Sequence, residues 1–150
     1  MKLQFLCPTH HQQLSTNPSY AISCWQSGVD TGKSLIDVGQ WGDALIHIGC
    51  AFESAEIIMT SGAIPCHQSC DIFFSSAIKL ADLFIKVGKR QQAQLVYSLT
   101  IARLKQEQQK YSVCSELVEQ LSREIEERSQ RLIDLDNRQT STDRQTATLH

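Results

Sequence analysis

Apolar residues recur along much of the chain at the three- and four-residue spacing that is typical of amphipathic helices. The clearest stripe predicts a helix over residues 41–61 and consists of Ala44, Leu45, Ile48, Ala51, Phe52, Ala55, Ile58 and Met59. Similar stripes predict helices over residues 66–87 and 89–108. These three segments indicate an all-α fold of long antiparallel helices.

A further helix precedes these three. Asn17 and Pro18 form a helix-entry signal, because Asn caps exposed amides and Pro fits the first turn. Gly39 is the expected end of this helix, since glycine tolerates the left-handed conformation. Gly28 and Gly32 lie inside it and allow a break, because glycine weakens helices.

A fifth segment, over residues 112–135, has a narrower apolar seam, made of Cys114, Val118, Leu121, Ile125, Leu132 and Leu135. Such a seam suits either a helix that caps the domain or a coiled coil between two copies of the chain. The capping helix is favoured because about three heptads are short for a coiled coil. Homodimerisation through residues 112–135 stays open.

These elements predict one helical-repeat domain over residues 1–136. A chain of 150 residues is long enough to bury one core without disulfide staples. Residues 1–16 form an N-terminal arm that begins extended and then turns or starts a short helix. Residues 137–150 have almost no apolar side chains and are predicted to be a disordered tail.

The helix–glycine–helix pattern occurs twice. Residues 33–39 followed by Ala44 and Ile48 correspond to residues 82–88 followed by Ala93 and Tyr97, at a constant offset of 49 positions. A chain that repeats such a unit is usually built by stacking it. Stacked helical pairs form binding surfaces more often than active sites.

The small and large residues of each unit resemble the tetratricopeptide repeat (TPR) motif. The matching residues are Gly32, Leu35, Gly39, Ala44, Ile48 and Ala51, and again Ala81, Phe84, Gly88, Ala93, Tyr97 and Thr100. The resemblance covers residues 25–107 and implies antiparallel hairpins with right-handed stacking, about five helices in all. It departs from the family in its period, because tandem TPR units recur about every 34 residues and at least three are usual.

The resemblance also implies an inner, concave face on the first helix of each pair. We call this set of ten residues the inner face: Gln26, Val29, Lys33, Ile36, Asp37, Ser75, Ile78, Asp82, Ile85 and Lys86. Its mixture of aliphatic and charged groups suits a groove for a peptide or a partner helix. In the alternative interpretation, Val29, Ile36 and Ile85 are plain core residues.

The overall charge argues against two classes of partner. The net charge is −2 and the isoelectric point is about 6.2, so no positive field attracts nucleic acid or anionic lipid. The contents of 41% hydrophobic and 20% charged residues are those of an ordinary globular protein. We therefore expect a protein or peptide partner, no nucleic acid and no membrane.

The cysteine pattern favours a reducing compartment. Of the six cysteines, Cys24, Cys50 and Cys114 lie in helical apolar segments, where a free Cys packs as a small hydrophobe. The first residues lack the apolar stretch of a secretory signal, and no apolar run approaches the roughly 20 residues that span a bilayer. We expect a cytoplasmic protein with free thiols.

Cysteine and histidine pairs suggest an alternative function. Thiolate and imidazole are ligands that zinc prefers, and four of them close a structural site. The candidate ligands are Cys7, His10, Cys66 and Cys70, with His11 and His67 as alternates. Such a zinc would join the arm to the helical core in a structural or sensor protein. The competing interpretation is ordinary packing, because the two clusters stand about 60 residues apart, outside the usual finger spacings.

Catalytic motifs are not evident in the sequence. Residues 28–34 contain a Gly-Lys-Ser that faintly resembles the end of a phosphate-binding P-loop, but no strand precedes it. The sequence contains no nucleophile elbow and no HExxH motif. We therefore expect a non-catalytic interaction module, such as an adaptor, chaperone or regulatory subunit, without a cofactor.

Overall fold

A computed structural model describes residues 3–148, which form six α-helices and no strand. The helices are α1 Pro8–Thr16, α2 Pro18–Asp37, α3 Trp41–Ser61, α4 Cys66–Lys86, α5 Arg90–Lys110 and α6 Ser115–Thr148, with a short 3-10 turn at Ser112–Cys114. From α2 to α6, each helix packs against the next one in the chain. The predicted all-α fold is confirmed. None of the helices in this range is long and apolar enough to cross a membrane, and the cytoplasmic location stays a prediction.

The two hairpins, α2–α3 and α4–α5, share the same hydrogen bonds at their turn glycines. The N–H of Gly39 donates to the carbonyl of Ile36 at 3.0 Å, and the N–H of Gly88 donates to the carbonyl of Ile85 at 3.0 Å. In each turn the next N–H donates to the carbonyl five residues earlier, at 2.9 Å and 2.7 Å. Both glycines have positive φ angles, +78° and +80°, which side-chain-bearing residues adopt at a cost. The 49-residue repeat of the sequence is therefore also a repeat of structure.

Small residues let the paired helices approach closely. A Cβ atom at Gly28 would lie 2.8 Å from the backbone oxygen of His47, and one at Gly32 would collide with a side chain of α3. The equivalent positions of the second hairpin hold two fully buried alanines, Ala77 and Ala81. The break that these glycines allow is absent, because α2 is continuous and both glycines serve the packing.

The arm covers the outer side of α3. The Glu53 carboxylate accepts hydrogen bonds from the backbone N–H groups of Phe5 and Leu6, the second at 3.3 Å. The Phe5 ring lies against Gly49, where any Cβ would collide with it. A small second core forms here and comprises Leu6, Leu14, Ala21, Ile57 and Ile58.

Helix α6 packs against α5 of its own chain, which is the position expected of a helix that caps the domain. Its buried residues belong to the main core and are Val118, Leu121, Ile125 and Leu132. Polar contacts fix it further: Ser129 Oγ donates to Gln94 Oε1 at 2.6 Å, and Arg90 pairs with Asp136 at 2.5 Å. These contacts lie where the start of α5 meets the second half of α6.

The end of α6 differs from the sequence prediction. We predicted a disordered tail over residues 137–150, whereas the structure continues the helix to Thr148, and residues 149–150 lie outside the described range. Residues 137–148 are exposed throughout. Their Ser and Thr hydroxyls donate to carbonyls one turn earlier, for example Thr140 to Asp136 at 2.8 Å. Mainly local hydrogen bonds, rather than burial in a core, hold this part of the helix.

Helix α6 repeats the buried pattern of α4 at an offset of 48. The equivalent buried pairs are Cys70 and Val118, Phe73 and Leu121, Ala77 and Ile125, and Phe84 and Leu132. At the same offset, the turn glycine Gly88 corresponds to Asp136. Helix α6 therefore takes the place of the first helix of a third unit, and without a turn glycine it runs on instead of folding back.

Two cysteines at this same offset are bonded to each other. Cys66 at the start of α4 and Cys114 just before α6 form a disulfide, with Cα atoms 6.5 Å apart. The expectation of free thiols is wrong for this pair, because Cys114 packs against the start of α4 instead of acting as an isolated apolar residue. The other cysteines are free in the structure: Cys7, Cys24, Cys50 and Cys70.

Candidate partner-binding face

The ten residues of the inner face lie on α2 and α4 at equivalent positions, 49 residues apart. The exposed members are Gln26, Lys33, Asp37, Asp82 and Lys86. The half-buried members are Val29, Ile36, Ser75, Ile78 and Ile85. Within each helix these residues follow the three- and four-residue spacing of a single stripe.

Two contacts hold the hairpins together beside this face. The indole Nε1 of Trp25 in α2 donates to Ser76 Oγ in α4 at 3.0 Å. At the turn end, Lys86 Nζ lies 4.7 Å from the centre of the Trp41 ring, within the range of a cation–π contact. The first helices of the two pairs therefore touch through the Trp25 side chain, while α3 and α4 form the main packing between the hairpins.

The aliphatic members of the inner face are partly buried and partly exposed to solvent. Ile36, Ile78 and Ile85 pack against the main hydrophobic core but retain part of their exposure. Val29 is also half-buried, although it packs against neither core. For Ile36 and Ile85 the two interpretations therefore do not exclude each other, since an aliphatic side chain can anchor a helix and still present an edge to a partner.

Asp82 of α4 lies near Arg128 of α6. Asp82 is exposed as a residue, but desolvation of its carboxyl by neighbouring groups raises the pKa of that carboxyl, and the nearby Arg128 guanidinium acts in the opposite direction. Burial also raises the pKa of Tyr97, and the Asp82 charge adds to that effect. Arg128 Nε is buried and has no hydrogen-bond partner among the described residues. Asp82 therefore belongs both to the inner face and to the α4–α6 junction.

The sequence analysis missed a third stripe, on α6. At the 48-residue offset, Ile85 corresponds to Ile133 and Asp82 corresponds to Gln130. Ile133 is 42% exposed, which is high for a large apolar side chain. The apolar spacing is present in the sequence, but α6 has no turn glycine at which it aligns with α2 and α4.

The predicted zinc ligands are not brought together. Cys7 accepts a hydrogen bond from the backbone N–H of His10 at 3.4 Å and so caps α1, while Cys66 is bonded to Cys114. His10 lies against Tyr20, and its Nε2 is 3.4 Å from the phenol oxygen. Among residues 3–148 no three His, Cys, Asp or Glu side chains are grouped to hold a metal ion.

Cys70 differs from the other predicted ligands in its burial. Its side chain is fully buried in the main core. Burial, with smaller contributions from the Glu107 and Asp71 charges, raises the pKa of this thiol to about 11. The alternates His11 and His67 are both exposed.

The faint P-loop match also lacks the geometry that its chemistry needs. Residues 28–34 lie within the continuous helix α2, and Gly28 packs against the backbone of α3. A phosphate cradle needs a loop whose N–H groups are free to face the ligand. In α2 those groups are engaged in the helix.

Comparisons of the chain with known proteins gave a negative result. Neither a protein-family model, nor a curated protein, nor a solved structure matches the chain.

Proposed function

We propose that the chain is a non-catalytic protein–protein interaction module that binds a peptide or partner helix on the inner face. In this proposal the two hairpins are divergent TPR-like units, and the protein acts as an adaptor, chaperone or regulatory subunit. The observation that carries it is the duplicated hairpin, which presents aliphatic and charged residues at equivalent positions on two first helices linked by the Trp25–Ser76 hydrogen bond.

The composition of the face supports recognition of a peptide or helix. Half-exposed aliphatic side chains supply apolar contact area, and the charges beside them fix orientation. The sign of the charge is reversed between equivalent positions of the two hairpins: Lys33 corresponds to Asp82, and Asp37 corresponds to Lys86. A partner with charges of both signs around an apolar centre would complement this pattern.

Helix α6 supports an extension of the face. Ile133 continues the series formed by Ile36 and Ile85 in the two preceding first helices. These three isoleucines are the expected apolar anchors, since buried side chains near the centre of an interface contribute most of the binding energy. We therefore include Ile133 in the proposed binding surface.

Affinity capture from the native host tests the proposal. The tagged wild-type chain is compared with a variant that carries Ile85→Glu and Lys33→Glu. The matched control carries Ile46→Glu and Lys105→Glu, which make the same changes at exposed positions of α3 and α5 outside the face. Far-ultraviolet circular dichroism and thermal unfolding check that all variants fold.

We expect the partner captured by the wild type and by the control variant to fall at least about ten-fold with the inner-face variant. A third variant, Ile133→Glu, changes an exposed residue and avoids disturbing the core. Equal recovery with all variants would refute binding at this face.

A further inference from the structure

Every charged residue of helix α2 has an oppositely charged equivalent in helix α4. The three reversed pairs lie 49 positions apart: Asp30 and Lys79, Lys33 and Asp82, and Asp37 and Lys86. Helix α2 therefore carries two carboxylates and one ammonium group, and α4 carries two ammonium groups and one carboxylate at the matching positions. The two sets cancel, so these six residues add no net charge to the surface.

On each helix the three charges lie along one stripe. Their spacings of three and four residues place them on the same side of the helix. Four of the six already belong to the inner face, and Asp30 and Lys79 extend it. Lys79 is half-buried and its Nζ lies 3.0 Å from Ser75 Oγ, whereas the other five residues are exposed.

These charges are not neutralised by ion pairs inside the chain. Within residues 3–148, none of the six forms an ion pair of 4 Å or less. Lys86 lies over the Trp41 ring, and Arg128, which acts on the Asp82 charge, pairs with Glu124 at 3.6 Å. The six charges can therefore pair with groups of another molecule.

The two stripes run in the same direction and at matching heights. Trp25 donates to Ser76, which is two residues beyond its own equivalent position, Phe74. At the turn end, Lys86 in the last turn of α4 contacts Trp41 at the start of α3. Two residues of helix correspond to about 3 Å, so equivalent residues of α2 and α4 lie roughly level with each other.

We propose that the inner face binds a second copy of this chain. The two copies face each other across a two-fold axis that runs parallel to α2 and α4, midway between them. In such an interface, if one residue contacts a second across the axis, the second also contacts the first. The α2 of each copy then lies over the α4 of the other, and each of the three reversed pairs forms twice.

The same axis also matches the aliphatic residues. Ile36 of one copy meets Ile85 of the other, and Val29 meets Ile78, because these are equivalent positions. Charges of opposite sign around apolar contacts fix the register and exclude other alignments. This surface differs from the seam of residues 112–135, whose buried residues pack within the chain.

This inference rests on the proposed function, since it names the partner of the same face. Sedimentation velocity of the full chain over a range of concentrations tests it. We expect a monomer–dimer equilibrium in the micromolar range, because the face has fewer residues than the roughly 20–30 per side of a stable interface. Raising the salt to about 0.5 M should weaken the dimer several-fold, since exposed ion pairs are screened.

Charge-reversal variants test the register. Lys33→Asp and Asp82→Lys each place like charges face to face, and each should weaken the dimer at least about ten-fold. The double variant should recover wild-type affinity to within about three-fold, because the pair is restored with its signs exchanged. The controls Lys105→Asp and Asp143→Lys make the same changes at exposed positions outside the face and should not alter the equilibrium.

Mixing the two single variants is the most specific test. In a mixed dimer, position 33 of each copy meets an opposite charge at position 82 of the other. An equimolar mixture should therefore dimerise about as tightly as the wild type, although each variant alone does not. If the copies faced each other in opposite directions, Lys33 would meet Asp37, and Asp37→Lys rather than Asp82→Lys would rescue Lys33→Asp.

Four results would overturn the inference. They are a wild type that stays monomeric at the highest concentration, single variants that dimerise like the wild type, single variants that do not complement each other, and rescue by Asp37→Lys. The proposed function fails separately. A monomeric wild type that captures another protein through the inner face would retain the proposed function and refute only the second copy as its partner.

Discussion

The indole N–H of Trp25 reaches from α2 to Ser76 Oγ in α4, across 3.0 Å. The two residues lie 51 positions apart and belong to different hairpins. Ser76 is almost fully buried, and its hydroxyl also donates to the Ile72 carbonyl at 2.8 Å. This contact therefore links the two first helices directly, whereas most of the packing between the hairpins is between α3 and α4.

A double-mutant cycle measures this contact. Trp25→Phe and Ser76→Ala should each lower the free energy of unfolding, because each leaves the other group without its partner. The coupling energy between them should be about 1 kcal/mol, the usual net contribution of a buried hydrogen bond. Urea unfolding of the four chains supplies the cycle, and strictly additive effects would show that the bond does not contribute.

The turn glycines should resist substitution. Gly39→Ala and Gly88→Ala place a side chain at φ near +80° and should each cost about 1–2 kcal/mol in the free energy of unfolding. Gly42→Ala is the matched control, because Gly42 lies in helix α3 with open space around it. The control should be stabilising by about 0.5–1 kcal/mol, since alanine favours helices. Similar losses at all three positions would contradict the turn geometry.

Thiol reactivity should follow burial. In the native chain at pH 8 without reductant, iodoacetamide should modify the exposed Cys7 first. With a pKa of about 11, the Cys70 thiol is about one part in a thousand thiolate at this pH, and it is also inaccessible, so it should stay unmodified. Peptide mass spectrometry should recover Cys66 and Cys114 joined. Modification of Cys70 as fast as Cys7, or of Cys66 before reduction, would contradict the structure.

The two parts of α6 should differ in their effect on stability. Truncation after Gln139 removes only exposed residues and should change the thermal midpoint by less than about 2 °C. Truncation after Arg131 also removes Leu132, which is 4% exposed, and the Arg90–Asp136 pair. It should cost about 2–4 kcal/mol, most of it from the lost apolar burial. Equal effects of the two truncations would contradict the packing of α6.

Local signals predicted the helices and their ends well. The segment 41–61 coincides with α3, and the turns at Gly39 and Gly88 form where the glycines predicted them. Periodicity and glycine conformation act within a few residues of sequence, so a single chain displays them directly.

Longer-range relations were harder to obtain from the sequence. The buried residues of α4 and α6 correspond at an offset of 48 residues, whereas the two hairpins correspond at an offset of 49. A shift of one residue rotates a side chain by about 100° around the helix axis, so the offset of 49 does not align the buried residues of α6 with those of α4. Helix α6 also lacks the turn glycine at which the first two units align. The Cys66–Cys114 pair and the burial of Cys70 depend on which helices become neighbours, and an apolar stripe shows a face but does not identify what covers it.

The central claim is that equivalent positions on α2, α4 and α6 bind one partner. Site-specific photo-crosslinking in the native host tests it most directly, with a photoreactive phenylalanine placed singly at Lys33, Asp82 or Gln130. The control position is Ile46 on α3, which is 57% exposed. We predict that the same partner is cross-linked from the three equivalent positions and not from Ile46. Failure to cross-link from all three, or equal cross-linking from Ile46, would contradict the account.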